Sequence, residues 1–500
     1  MKNKEEEQID QERVKYIRDN RKESVTMALE LLNEHPTLVR NDDNLYIFNG
    51  KHYDLIEEDG LTKMYNDFVM KYGIIDMWKL NKINEIIKFI YTFSKVKKVK
   101  INSQPNLLCL NNGILNIDTM EFFDHSSNFY FDTFINVDYD PQNTSCPVFT
   151  KFLEDIFSND KETIGNIIRL GGYLLDYSYE NMKKCNRMFI FDGQGATGKS
   201  TLLDTFALFF SEKQLTSLSL EELAANDMEK ENILTSRFNI SGEQKKQMLD
   251  AENLKRIISG EMVHIKRKHK KAIDIRLKMK IIAACNGMPK FNDTSSGIQR
   301  RLFLFKFKNQ YKPNHEYKNI KDPEKRNIYL QDNSLFDKIE QEKPAILNLF
   351  LEGLKLLRAN NFIFEESAEQ NLALEEFKSD NNVAHEFLIA HYVIDEDSYI
   401  PVKEVYDEFR IWYRDNVNDH NFKFRSAEMG KRIKESFNVE VNGRKQYIDY
   451  RGEIQILTTY PIRKIKYDDT EQSSSSGELQ SLREGGFPDA KEVSQTEIKF

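Results

Sequence analysis

A glycine-rich stretch near the middle of the chain constrains the fold more than any other part of the sequence. Residues 193–201 read Gly-Gln-Gly-Ala-Thr-Gly-Lys-Ser-Thr and fit the pattern G-x-x-x-x-G-K-S/T. An apolar run at 188–191 precedes the stretch and another at 202–210 follows it, which predicts a strand, a phosphate-binding loop and a helix in succession. The alternative is a glycine-rich turn that opens an ordinary helix.

The residue types of this stretch suit the binding of a nucleoside triphosphate. Backbone N–H groups in the glycine-rich loop and the start of the following helix would surround the phosphate oxygens. Lys199 would contact the β- and γ-phosphates, and the Ser200 hydroxyl would ligate Mg²⁺. The residues predicted to hold the nucleotide are Gly193, Gln194, Gly195, Ala196, Thr197, Gly198, Lys199, Ser200 and Thr201.

Length, composition and charge narrow the class of protein. Because 500 residues exceed what one core can organise, we expect about two to four domains. The sequence has no apolar run of membrane-spanning length, its charged first residues do not resemble a signal peptide, and its four cysteines are far apart. These features predict a cytoplasmic protein with no membrane partner, no zinc site and no disulfide framework. The net charge of −8 means that any DNA binding must depend on local clusters of basic residues.

Polar residues follow the loop at the ends of strand-like runs. Glu243 could hold Mg²⁺, although an acid in this setting also occurs in solvated loops. Asn286 ends a strongly apolar run and could orient the attacking water, with the capping of a turn as the alternative. Arg300 and Arg301 precede a further apolar run. One of them could stabilise the phosphoryl group transferred in a neighbouring subunit, and the alternative is a pair of solvated arginines.

Basic residues are concentrated between Glu243 and Asn286. Alternating apolar residues around this cluster predict two strands that flank a basic tip. A grip on the DNA backbone and an ordinary solvated face are the two interpretations. The basic residues are His264, Lys266, Arg267, Lys268, His269, Lys270, Lys271, Arg276, Lys278 and Lys280.

The order of these features resembles the superfamily III helicases of the AAA+ class. More narrowly, it is similar to the poxvirus and phage or plasmid primase-helicase family and to the replication initiators of mobile genetic islands. The motifs that carry the resemblance are the phosphate loop, Glu243, the Lys268-His269 tip, Asn286 and the pair Arg300-Arg301. Upstream segments extend it to about residues 40–310, and they lie at 112–117, 125, 138–141, 146–147 and 170–175.

The resemblance implies a ring, hexameric by analogy, that uses ATP and Mg²⁺. One subunit would supply Lys199, Ser200 and Glu243, with Ser200 and Glu243 at the metal, and its neighbour would supply Arg300 or Arg301. Because Asn239, Ser241 and Gly242 precede Glu243, the metal-binding residue is less well defined here than in the family. Primase activity is not predicted, since the segment before the ATPase leaves no room for a primase domain. The residues expected to hold single-stranded DNA in the channel are Lys266, Arg267, Lys268, His269 and Lys270.

Residues 383–462 predict a winged helix that recognises duplex DNA at an origin. Helices are predicted at 384–394, 401–413 and 426–437, followed by a wing at 439–457 with its turn at Asn442-Gly443-Arg444. A winged helix used only for protein contact is the alternative. The residues predicted to contact DNA are Lys423, Arg425, Lys431, Arg432 and Lys434.

The predicted fold class is therefore a multidomain α/β protein. Its segments are an N-terminal α+β domain (1–140) with a hairpin at Asn49-Gly50, a helical collar (141–185), a AAA+ core with a phosphate loop (186–310), a helical extension (311–382), the winged helix (383–462) and a disordered tail (463–500). The predicted function is an ATP-dependent DNA helicase and replication initiator. A primase or host replication proteins are further candidate partners. The alternatives are a DNA-binding AAA+ ATPase that does not unwind, and an origin-binding protein whose ATP site only controls assembly.

Overall fold

The computed structural model describes residues 2–42, 44–92, 96–225, 231–234, 236–244, 248–249, 251–267, 270–291, 297–321, 323, 327–381, 383–416, 424–441, 443–448 and 454–465. The chain divides into two units, residues 1–375 and 376–500. Most of the predicted tail, from residue 466 onward, lies outside the described residues. No helix in the described ranges is long and apolar enough to cross a membrane.

Helices alternate with a small sheet at the start of the first unit. Isoleucines at helical spacing give these helices a buried face, as Ile83, Ile86 and Ile90 do. Antiparallel pairing of Phe48 with Tyr53 confirms the hairpin predicted at Asn49-Gly50. The elements are α1 (Lys2–Asp19), α2 (Ser24–Glu34), β1 (Val39–Asn41), β2 (Asn44–Phe48), β3 (Tyr53–Ile56), α3 (Glu58–Tyr72), α4 (Leu80–Thr92) and β4 (Lys97–Lys98), and the strand order in the sheet is β3-β2-β1-β4.

A second small sheet and three helices lead to the phosphate loop. Proline occupies the first turn of one helix, where its missing N–H costs nothing, and the Asp160 carboxylate caps the next by accepting from the N–H groups of Glu162 and Thr163. The strands are β5 (Leu107–Cys109), β6 (Ile114–Asn116) and β7 (Phe122–Phe123), and the helices are α5 (Pro147–Ile156), α6 (Lys161–Leu175) and α7 (Tyr179–Cys185).

A five-stranded parallel sheet forms the centre of the first unit. Two of its inner strands, at 188–193 and 280–285, are mostly apolar, as expected for strands covered on both faces. The strand order is β16-β8-β14-β10-β9. The elements of this region are β8 (Met188–Gly193), α8 (Lys199–Ala207), β9 (Leu215–Thr216), α9 (Leu220–Ala224), β10 (Phe238–Gln244), β11 (Met248–Leu249), α10 (Ala251–Ile258), β12 (Met262–Arg267), β13 (Lys270–Arg276), β14 (Lys280–Cys285), β15 (Lys290–Phe291) and β16 (Leu302–Phe307). The mixed α/β class with a parallel sheet is thereby confirmed.

The remaining helices of the first unit close the core of the sheet. Phe350 lies in the helix at 343–359 and packs against Phe149 and Phe206, with ring centroids 5.9 and 5.7 Å away. It joins this helix to α5 and α8. Short 3₁₀ turns occur at Ile75–Met77, Glu212–Gln214, Glu231–Leu234 and Gln299–Arg301. The elements after the sheet are β17 (Gln310–Lys312), α11 (Asn314–Tyr317), β18 (Ile328–Leu330), α12 (Leu335–Gln341) and α13 (Lys343–Ala359). The next helix, α14 (Ala368–Asn381), begins in the first unit and ends in the second.

The second unit has its own apolar core, which includes Phe387, Val405, Phe409, Met429 and Ile433. Three helices are followed by an antiparallel hairpin, in strand order β20-β22-β21. The elements are α15 (Val383–His391), β19 (Tyr392–Ile394), β20 (Ile400–Pro401), α16 (Val402–Asn416), α17 (Ser426–Phe437), β21 (Gly443–Ile448), β22 (Ile454–Tyr460) and β23 (Ile462–Lys464).

Three predicted boundaries in this unit are wrong. The predicted disordered tail does not begin at 463, because Arg463 and Lys464 pair with β19. The first helix ends at His391, because the next three residues pair with β23 as a strand. The turn of the wing does not lie at Asn442-Gly443-Arg444. Gly443 pairs with Thr459 and Ile448 with Ile454, so the hairpin closes between Ile448 and Ile454.

Candidate nucleotide-binding site

The phosphate loop connects the carboxyl end of β8 to the first turn of α8, as the sequence predicts. Gly198 has a φ of 89°, in the left-handed region that glycine tolerates best. Ala196 also has a positive φ of 59°, and its carbonyl accepts a 2.8 Å hydrogen bond from the N–H of Tyr311. The strand after the central sheet therefore helps to hold the loop in this conformation.

Close packing explains why the loop begins with glycine. A Cβ atom at Gly193 would lie 2.4 Å from the carbonyl oxygen of Phe307 on the neighbouring strand β16, which is too close for any side chain. A Cβ atom at Gly195 would meet nothing within 4 Å. The base of the loop is thus fixed against the sheet, whereas its top is open to a ligand.

Lys199 is buried with its ammonium group directed into the loop. Its Nζ atom donates to the carbonyl oxygens of Gly193 (2.6 Å) and Gln194 (2.5 Å) and to the Thr197 hydroxyl (3.1 Å). These acceptors are neutral, and a phosphate group binds an ammonium ion more strongly than they do. The loop therefore places a cation where the predicted triphosphate would lie.

A cleft of about 580 Å³ opens beside the loop at the carboxyl edge of the sheet. Its lining includes Gln194 and Thr197 from the loop, Asn286 from the end of β14 and Lys306 from β16. The side chain of Asn286 is exposed. The structure thus brings Asn286 to the phosphate loop although the two are far apart in sequence.

An ion pair in this cleft was not predicted. The Asp192 carboxylate, immediately before the loop, lies 2.8 Å from the Nζ atom of Lys306 and accepts a 3.0 Å hydrogen bond from the N–H of Gly287. Both positions carry a signal in the sequence, since each is a charged residue in an otherwise apolar strand. Their pairing depends on the adjacency of β8 and β16, which the sequence alone does not reveal.

The predicted metal residues are placed less completely. Ser200 is exposed on the first turn of α8, next to Lys199. Glu243 belongs to β10, the neighbour of β14, and its side chain lies outside the described part of the structure. Among the described residues no group of three or more His, Cys, Asp or Glu could hold a metal ion. An exposed hydroxyl at this point fits Mg²⁺, which takes most of its ligands from water and phosphate.

The two candidate arginines differ sharply in their surroundings. Arg301 is buried, and its guanidinium donates to the Ser259 hydroxyl at 2.8 and 3.1 Å and to the Gly297 carbonyl at 2.6 Å. Arg300 is exposed. Only Arg300 is therefore placed to reach a second molecule.

The predicted basic hairpin is present as β12 and β13, which pair antiparallel from Met262↔Arg276 to Arg267↔Lys270. Lys266 is exposed on β12. The side chains of Arg267 and Lys270 are outside the description, and so are the tip residues Lys268 and His269 altogether.

The basic residues predicted to contact DNA in the second unit differ in their exposure. Arg425 and Lys431 are exposed, and Lys431 and Lys434 line a groove of about 580 Å³ to which Lys403 also contributes. Arg432 is buried and its guanidinium lies 2.9 Å from the Glu435 carboxylate, so it is not offered to DNA as predicted. Lys423 lies outside the described ranges.

Comparison with known proteins identifies two matching family models. Residues 46–158 match the model described as D5 N terminal like, and residues 191–301 match that of a family of unknown function, DUF5906. Together these matches support, at a coarse level, a relationship to the phage and plasmid primase-helicases, as the sequence motifs indicate.

Solved structures of the C-terminal region of NrS-1 are also similar. Its A form apo structure is 14% identical, with 87% of this chain and 98% of that chain covered and a TM-score of 0.46. A second A form apo structure of the same region is 13% identical, with 87% and 100% covered and a TM-score of 0.48.

Proposed function

We propose that this protein is an ATP-dependent DNA helicase that opens DNA at the replication origin of a phage, plasmid or mobile element. The observation that carries the proposal is Lys199, which lies buried in a phosphate loop at the carboxyl edge of a parallel sheet, beside a cleft lined by Asn286. Ligands of open α/β sheets bind at this edge. The strand order, with β14 between β8 and β10, supports a AAA+ core.

Each of the predicted site residues has a role in this proposal. Lys199 and the loop N–H groups bind the phosphates, Ser200 and Glu243 hold Mg²⁺, and Asn286 orients the attacking water. Bound Mg²⁺ would neutralise charge on the phosphate oxygens. Arg300, which is exposed, reaches the site of the next subunit, whereas Arg301 holds the preceding turn in place. This arrangement requires a ring, which we take to be hexameric.

DNA contacts are assigned to two places. The hairpin β12–β13 projects basic residues toward single-stranded DNA in the channel, because phosphate contacts dominate such binding. In the second unit, three helices followed by a hairpin support a winged helix, and Arg425, Lys431 and Lys434 would face the duplex. The family matches at 46–158 and 191–301 support DNA replication as the setting.

Strand displacement on a forked DNA substrate tests the proposal. The substrate is offered with ATP or with a non-hydrolysable analogue, and Lys199→Ala is the control. We expect the wild-type protein to unwind the substrate with ATP but not with the analogue, and we expect no unwinding by Lys199→Ala. Hydrolysis without unwinding would favour a DNA-binding ATPase, and binding without hydrolysis would favour an origin-binding protein whose ATP site controls assembly.

A further inference from the structure

Lys306 is a charged residue in an otherwise buried, apolar edge strand of the sheet. Strand β16 reads Leu-Phe-Leu-Phe-Lys-Phe, and five of its six residues are buried. The Lys306 side chain is 23% exposed, lines the cleft beside the phosphate loop and points its Nζ atom at Asp192. Placing an ammonium group so close to the core is unfavourable unless the charge is paired or used.

Asp192 is held by groups from both neighbouring strands. Its carboxylate accepts from the N–H of Gly287 and lies 3.5 Å from the Cys285 thiol, both at the end of β14, while Lys306 approaches from β16. Burial, and then the nearby Asp192 charge, raise the pKa of Cys285, so its thiol keeps the proton that it donates. The carboxylate is therefore fixed in position, and so is the lysine attached to it.

We propose that Lys306 is a second phosphate-binding cation of the nucleotide site, acting within its own subunit, and that Asp192 positions it. The inference rests on the proposed function, since it assumes that the cleft takes ATP. Lys306 shares the cleft with Gln194, Thr197 and Asn286, whereas Lys199 lies inside the loop itself. Asn286 is the residue assigned to the water at the γ-phosphate, and Lys306 lines the same cleft. Lys306 therefore acts on the γ-phosphate, which ATP has and ADP lacks.

A purely structural ion pair makes a different prediction. Such a pair would contribute to the stability of the sheet, and its loss would weaken ATP and ADP binding alike. A cation at the γ-phosphate changes the ratio of the two affinities instead. Lys312 provides a matched control. It is a lysine of strand β17 whose Nζ atom lies 3.3 Å from the Glu316 carboxylate, and it does not line the cleft.

The experiment compares the affinities for ADP and for a non-hydrolysable ATP analogue by titration calorimetry. Lys306→Met should weaken binding of the analogue about tenfold or more, as expected for a lost ionic hydrogen bond, and change ADP binding less than about threefold. Lys306→Arg should keep most of the preference for the analogue, and Lys312→Met should keep all of it. Equal losses for the two nucleotides, or an unchanged ratio in Lys306→Met, would overturn the inference.

Asp192 needs its own readout, because Lys306→Met leaves a buried carboxylate without its cation. With Lys306 present, Asp192→Asn keeps an acceptor for the Gly287 N–H and should reduce the preference for the ATP analogue over ADP. The double variant Asp192→Asn/Lys306→Met has no unpaired charge and should match Lys306→Met, since Asp192 acts through Lys306. An additive effect of the two substitutions would contradict the positioning role.

The proposed function and this inference fail in different ways. If the wild-type protein binds neither nucleotide, both are wrong. If the wild type binds ATP and Lys199→Ala does not, while Lys306→Met retains the wild-type ratio, the nucleotide site stands and only the role of Lys306 is refuted.

Discussion

The adjacent arginines Arg300 and Arg301 show how one position along a 3₁₀ turn separates two roles. Arg301 is tied to Ser259 and Gly297, and Arg300 faces outward. We expect Arg300→Ala to bind ATP with near wild-type affinity and to hydrolyse it slower by a factor of about 10³ or more. Arg301→Ala should instead lower the melting temperature, because it leaves the half-buried Ser259 hydroxyl and Gly297 carbonyl without the donor that Arg301 supplies.

Mixed assemblies test whether Arg300 acts on a neighbour. Arg300→Ala mixed with Lys199→Ala should regain part of the ATPase activity, since some interfaces then combine an intact loop with an intact arginine. The measurement is the hydrolysis rate across mixing ratios, with mixed assembly confirmed by a tag on one variant. No recovery at any ratio would mean that Arg300 acts within its own subunit or not at all.

Lys280, at the start of β14, is a buried lysine whose ammonium donates to the carbonyl oxygens of Tyr173 and Asp176 at the end of α6. Burial lowers the pKa of Lys280 to about 7, a change that Asp176 and Cys185 oppose and that Arg237 reinforces. Between that value and the ordinary 10.5, the unfolded chain holds a proton that the folded protein has released. The free energy of unfolding should therefore rise with pH across this window, by up to about 1.4 kcal/mol per pH unit.

Lys280→Met removes this contribution and should flatten the pH dependence of stability above pH 7. Denaturant unfolding of both proteins at several pH values between 7 and 10 provides the measurement. Because every other titrating group is shared, the difference between the two curves isolates Lys280. Parallel curves would show that the two carbonyls keep the ammonium charged throughout.

At the scale of the element, glycines allow α6 and α13 to approach closely. A Cβ atom at Gly172 would lie 2.3 Å from the backbone nitrogen of Leu354, and one at Gly353 would lie 2.4 Å from the carbonyl oxygen of Ile168. Neither backbone can move without shifting a whole helix. We expect Gly353→Ala to lower the free energy of unfolding by about 1–3 kcal/mol, as measured by denaturant titration.

Gly165 is the control for this prediction. It lies on α6 as well, but an added Cβ atom would approach only the end of the flexible Arg169 side chain, at 3.3 Å. Since alanine favours the helix over glycine, Gly165→Ala should be neutral or stabilising by up to about 1 kcal/mol. A similar loss of stability in both variants would show that close helix contact is not the cause.

Elements governed by local signals were predictable, and those governed by pairing were less so. The phosphate loop carries its own motif between apolar runs, and α17 was predicted with the bounds that it has, 426–437. The wing turn failed because Asn442-Gly443 is a strong turn signal by itself, yet Gly443 continues into a strand opposite Thr459. Cross-strand pairing overrode the local preference.

At the scale of the whole molecule, the sequence could not reveal which residues meet in the cleft. Asp192 and Lys306 are far apart in the chain, and their contact follows from the adjacency of β8 and β16. Asn286 could be predicted there because it ends a strand of the same sheet. The sequence could not distinguish the buried Arg432 from the other basic residues of α17, since burial of one side of this helix depends on the core of the second unit.

The division into two units predicts that DNA recognition and ATP hydrolysis can be separated. A variant ending before residue 383 retains the phosphate loop, the central sheet and their hydrophobic core. We expect it to keep DNA-stimulated ATPase activity and to lose the preference for origin over scrambled duplex. The binding comparison should be made over a series of salt concentrations, because phosphate contacts alone are sequence-independent and salt-sensitive. Retained origin preference would place recognition in the first unit.

The hydrogen bonds of Lys199 have a consequence for which ligands the loop admits. In the structure the Lys199 ammonium group donates hydrogen bonds to two carbonyl oxygens and a hydroxyl of the loop itself. A ligand that binds the Lys199 ammonium group has to replace these three acceptors, and anionic phosphate oxygens can do so because they form stronger hydrogen bonds with an ammonium group than neutral oxygens do. Neutral ligands form no stronger hydrogen bonds than these acceptors do, so the loop geometry selects against them.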